Sequence, residues 1–91
     1  MKTSEALKDI VKEVLERLDT KDSELGGQYW MESSEEPIKY FVQNMERKMF
    51  IINKVYERDG IVKGKTSLDD SAIDLLGYNL LFLWRLRNKG E

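Results

Sequence analysis

Cysteine and histidine are both absent from this 91-residue chain. Without cysteine there is no disulfide and no thiolate metal site, a composition that fits a reducing compartment. Without histidine, imidazole general bases, Ser-His nucleophiles and His-zinc centres are excluded. Any metal site must rest on carboxylates, which favours Mg2+ or Mn2+. A basic surplus is missing too: 15 Lys and Arg stand against 17 Asp and Glu, for a net charge of −2. Nothing in that balance marks a partner of duplex nucleic acid. The apolar run 75–86 contains Asn79 and Arg85 and is too short to span a bilayer. The N-terminal stretch is amphipathic and acid-containing, unlike a signal or transit peptide. A cytoplasmic protein with no membrane partner is the expectation.

What is present is helical periodicity. Ninety-one residues make one small domain, with a core thin enough that a partner chain commonly supplements it. The first helix is expected over about 4–20, with Thr3 or Ser4 as N-cap and Glu5 in the first turn. Leu7, Ile10, Val11, Val14, Leu15 and Leu18 form its apolar face at helical spacing. Lys8, Asp9, Lys12, Glu13, Glu16 and Arg17 occupy the other face. Residues 19–34 read as a break, with Gly26-Gly27 stopping the helix. The second helix is expected over about 34–58, from a capping box of Ser33 and Glu36 with Pro37 in the first turn, to Asp59-Gly60. Its apolar residues cover more than half its circumference, so it must touch more than one neighbour.

The third helix is expected over about 67–87, with Asp69 and Asp70 at its positive end. From Ile73 onward it is apolar on almost every face, and such a helix must be surrounded. Two other helices of one chain cannot cover it. The fold class is therefore read as all-α, a three-helix bundle that completes its core by homo-oligomerisation, as a homodimer or larger assembly. Gly77, which costs about 1 kcal/mol relative to Ala in a helix interior, implies that another helix backbone passes close by.

Several residues invite chemistry. Asp70, Asp74 and Tyr78 follow one another at i, i+4 and i+8, in line on one face. A carboxylate beside an apolar run must be paired, hydrogen-bonded or metal-bound. One reading pairs Asp74 with Lys48, Arg47 or Lys54 of helix two; the other makes the row a Mg2+ or phosphate-adjacent site. Glu13 and Glu16 form an E-x-x-E that is either a solvated charged face or a second pair of metal ligands. Tyr29 and Trp30 lie in the break, where they either plug the end of the bundle or stack on a planar ligand such as a base.

The order of a glycine-aromatic loop, a helix with a basic centre and a final Asp-x-x-x-Asp-x-x-x-Tyr helix resembles the phage and prophage proteins of the nucleotide modification associated domain 1 family. That family looks related to the MazG-like all-α nucleotide pyrophosphatases. The segment SLDDSAIDLLGYNLLFL carries the better part of the likeness: Asp70, Asp74 and Tyr78 fall on the family's two Asp and its Tyr. LGGQYW keeps Gly27 and Trp30 of the loop, and Lys48 falls on the helix-two Lys. Leu25, Arg47 and Thr66 stand where the family usually has acidic residues. Those departures remove the carboxylates that would assemble a Mg2+ cluster.

The resemblance implies a small phage-type nucleotide-binding protein that does not hydrolyse its ligand, sequestering a nucleotide or nucleotide-derived signal. Trp30 or Tyr29 would stack on the base, and Lys48 and Arg47 would meet phosphate. Asp70 and Asp74, beside Tyr78, would orient sugar hydroxyls or the basic residues. One alternative is an active Mg2+-dependent pyrophosphatase with Glu13, Glu16, Asp70 and Asp74 as its metal cluster. Another is a phage inhibitor of a host defence protein, an anti-defence factor acting by protein–protein contact.

Overall fold

A computed structural model describes residues 1–25, 36–61 and 67–88. They form three helices: α1 (Thr3–Leu25), α2 (Glu36–Asp59) and α3 (Ser67–Asn88). The all-α class is thus observed, with no strand among the described residues. No helix among them is long and apolar enough to cross a membrane.

The helix ends follow local chemistry. The Lys2 carbonyl accepts from the amides of Glu5 and Ala6 at 3.1 Å, so the first intrahelical bond comes from Lys2, one residue ahead of the expected cap at Thr3 or Ser4. At its other end α1 runs five residues beyond the expected stop. The segment DTKDSEL is polar but holds no Gly or Pro, and the Thr20 hydroxyl donates back to the Glu16 carbonyl at 3.0 Å. Polarity alone does not break a helix; the backbone must be denied its hydrogen bonds. The α2 C-terminus ends as expected at Gly60, which takes φ +68° and donates its amide to the Tyr56 carbonyl at 2.8 Å, an αL cap. The expected Ser33 cap and the aromatic pair Tyr29 and Trp30 lie outside the described residues, as do Gly27 and Thr66.

Helix α3 is central: it packs chiefly on α2 and also carries α1. Lys48 meets Asp74 and Tyr40 meets Tyr78, so α2 runs antiparallel to α3. Arg17 reaches Asp70 and Lys21 reaches Tyr78, so α1 runs in the same sense as α3. Among the described residues, the buried apolar side chains are Val14, Phe41 and Pro37. Gly77 is buried where α1 passes: a Cβ there would stand 3.3 Å from Leu18 Cδ2 and 3.8 Å from Val14 Cγ1. A helix does pass close to Gly77, but its contact is through side chains, not the expected backbone.

Much apolar surface is left over. Leu7, Ile10, Val11 and Leu15 on α1 are 45–49% exposed, and Leu76, Leu80, Leu83 and Leu86 on α3 are 36–54% exposed. On α2, Phe50 and Tyr56 stand out at 61% and 55%.

Candidate functional site

The acidic row of α3 faces α1, and the side chains of α1 that meet it are basic. Val14 and Leu18 seat α1 against Gly77, and this sets Arg17 and Lys21, one turn apart, beside Asp70, Asp74 and Tyr78. Arg17 Nη2 donates to Asp70 Oδ1 at 3.1 Å and lies 3.6 Å from Glu13 Oε2, while Nη1 is 3.8 Å from Asp74 Oδ1. Lys21 Nζ is 3.9 Å from Asp74 Oδ1 and sits 5.0 Å from the centre of the Tyr78 ring. From the other side, α2 sends Lys48, whose Nζ reaches Asp74 Oδ2 at 3.1 Å. Lys48 and Asp74 are the more enclosed pair, with side chains 14% and 22% exposed.

Asp74 is therefore the hub on which three cations converge. The Lys48 pairing is one of the partners expected for it from sequence. The hydrogen bond it donates to Asp70 raises the Arg17 guanidinium above its ordinary range. Tyr78 packs at 6.0 Å from Tyr40, edge to face, and 6.4 Å from Phe41. Burial, then a side-chain hydrogen bond with Tyr40, then the charge of Asp74 push the Tyr78 phenol up to about 12, against a smaller opposing effect of Arg47. Arg47 itself is exposed.

These side chains border a cleft between the three helices, with Val14, Ile73, Gly77 and Leu81 as its apolar wall and Arg17, Lys21, Tyr40, Asp74 and Tyr78 at its polar side. Its volume is about 40 Å3, space for a few ordered waters but not for a base and sugar.

Of the residues singled out from sequence, Lys48, Asp70, Asp74 and Tyr78 come together here. Arg47 stays at the periphery, and Tyr29 and Trp30 lie outside the described residues. Glu13 and Glu16 lie one turn apart on α1. They border a shallow groove with Arg17, Lys21 and Asp74, and Arg17 takes up Glu13, Asp70 and Asp74 together. Among the described residues no group of three carboxylates is arranged to hold a metal ion. The donor set does not fit Mg2+, because a guanidinium already lies among the carboxylates that the metal would bridge.

Sequence reading missed Arg17, Lys21 and Tyr40. From sequence Arg17 falls on the charged face of the first helix, opposite its apolar stripe. Arg17 and Lys21 do repeat at i, i+4 beside the apolar Val14 and Leu18, the same step as Asp70, Asp74 and Tyr78, but that spacing alone names no partner for them. No family model, curated protein or solved structure matches the chain.

Proposed function

We propose that this chain binds a nucleotide or nucleotide-derived phosphate ester at the α1–α2–α3 cleft, without hydrolysing it. The observation that carries the reading is the convergence of Arg17, Lys21 and Lys48 within 4 Å of Asp74. Of these contacts to Asp74, only that of Lys48 is short enough for a hydrogen bond. Arg17 Nη1 and the Lys21 ammonium keep donors for the oxygens of an incoming phosphate, the anion for which such cations are best suited. The cleft admits phosphate only, so the base would rest at the mouth beside Tyr40.

Absence of hydrolysis is supported by Arg17. A guanidinium supplies hydrogen bonds and charge but has no coordination position in which to lower the pKa of water. We also propose that the chain completes its core by self-association, which the exposed apolar side chains of α1 and α3 support.

A thermal-shift series with nucleoside mono-, di- and triphosphates and cyclic nucleotides, with and without Mg2+, tests the binding. Stabilisation is expected to grow with phosphate charge, to be the same without metal, and to vanish in Lys21→Met. No shift with any of these ligands overturns the reading. Phosphate or pyrophosphate release that disappears in Asp74→Asn overturns its non-hydrolytic part. Met49, Phe50 and Tyr56, exposed on α2, favour a second reading as a protein–protein contact module. It gains ground if no nucleotide binds and a variant of this face loses a protein partner.

A further inference from the structure

Helices α2 and α3 hold each other by enclosed contacts, and α1 holds to them by exposed ones. Phe41, fully buried, and Tyr40 set their rings against Tyr78. Lys48 meets Asp74 at 3.1 Å with both side chains largely enclosed. The seat of α1 is thinner. Every residue from 1 to 12 is exposed, Leu7, Ile10 and Val11 among them. Among the described residues of α1, Val14 alone is buried; it and the half-buried Leu18 rest on Gly77.

The charged ties of α1 sit on the same stretch. Arg17 reaches Asp70 at 3.1 Å and Asp74 at 3.8 Å, and Lys21 reaches Asp74 at 3.9 Å. The side chains of Arg17, Lys21 and Asp70 are 34%, 41% and 59% exposed. An exposed ion pair is worth up to about fivefold in an equilibrium constant. Salt weakens it, because the screening length falls from about 10 Å at 0.1 M ionic strength to about 3 Å at 1 M. The enclosed Lys48–Asp74 pair is screened less.

A segment with few buried apolar contacts and solvent-exposed ties opens at a lower free energy than the core it rests on. We infer that α1 is an arm latched to the α2–α3 pair by Arg17 and Lys21, and that it opens from that pair as a unit, more often as ionic strength rises. The open form uncovers Ile73, Gly77 and Leu81. It also takes Arg17 and Lys21 away from Asp74 and leaves Lys48 there. The latch belongs to the ligand-free chain and needs no nucleotide.

Amide hydrogen exchange of the intact chain, followed by NMR at roughly 0.1 M and 1 M NaCl, tests it. A helix of 23 residues is marginal on its own in water, so opening releases its amides to exchange. Amides 13–21 of α1 are expected to be at least about tenfold less protected than amides 41–52 of α2 and 74–84 of α3, which exchange together. Between the two salt concentrations the protection of α1 should fall about fivefold or more. Asp70→Asn, on α3, should lower α1 protection about threefold at the lower salt and remove much of the salt effect. A helix that only frays does not register a charge lost from its neighbour. Lys54→Met, which removes an exposed pair within α2, should leave α1 protection unchanged. One protection common to all three helices overturns the inference. So does an α1 that is less protected but indifferent to salt and to Asp70→Asn. Should Asp70→Asn fail to fold, the salt series on the unaltered chain still decides. The nucleotide reading is judged by melting with ligand and this one by exchange without it, so either can fail alone.

Discussion

Replacing Asp74 with asparagine keeps the shape of the side chain and removes the charge on which Arg17, Lys21 and Lys48 converge. At 3.1 Å from Lys48, and with an effective dielectric of about 20, the gross attraction is ~5 kcal/mol. Desolvation of this half-enclosed pair offsets much of it. The contacts to Arg17 and Lys21, 34% and 41% exposed, are screened to within ~1 kcal/mol. A net loss of ~2 kcal/mol follows, between the 0–1 typical of an exposed pair and the roughly 3–5 for breaking a buried one. For a domain of this size that is a fall in Tm of roughly 10 °C, read by far-UV circular dichroism at low salt. Lys48→Met should cost ~1.5 kcal/mol, and the double variant less than the sum of the singles, leaving a coupling of about 1 kcal/mol or more. Because the three cations then face one another, a nucleoside triphosphate should raise the melting point of Asp74→Asn more than that of the wild type. A coupling below about 0.3 kcal/mol would refute the reasoning, whatever the single variants do.

Four further outcomes are expected. Tyr78, with its phenol raised to about 12 from an unfolded value near 10, contributes stability that is full below about pH 10. That stability is lost as pH rises through the folded value; with solvent screening of a half-exposed group the loss is ~1 kcal/mol, visible in urea melts at two alkaline pH values and missing from Tyr78→Phe. Gly77→Ala gains about 1 kcal/mol of helix propensity against a 3.3 Å contact with the end of the Leu18 side chain, which can give; urea denaturation should show a net gain of ~0.5 kcal/mol. Gly77→Leu, by contrast, should lose about 2 kcal/mol or more by forcing α1 off α3. Phe41→Ala, at a fully buried position, should cost ~4 kcal/mol and leave the chain largely unfolded by circular dichroism.

The three helices were legible because each carries an apolar stripe at helical spacing, and Gly60 marks the end of α2 by a conformation other residues avoid. The length of α1 was not legible, because Asp, Thr and Ser lower helix propensity without forbidding the helix, and the Thr20 bond to Glu16 shows one way such residues are accommodated. Within the site, Asp70, Asp74, Tyr78 and Lys48 were readable as a row and a cation. Arg17 was not: its two carboxylate partners on α3 are 53 and 57 residues away in sequence, and only the packing of Leu18 on Gly77 brings them together. The apolarity of α3 on most of its faces was legible too; which of those faces is turned to α1 needed the structure.

Arg17 has a consequence of another kind. A divalent ion held by three carboxylates dissociates, competes with free cations and is stripped by a chelator. A guanidinium joined to the chain at α1 does none of these; its local concentration is set by the fold and not by the medium. Stability of the cluster is therefore expected to be the same in EDTA as in millimolar Mg2+. It is also bound to the integrity of α1, so that any event that lifts α1 from α3 withdraws the cation from Asp70 and Asp74 together.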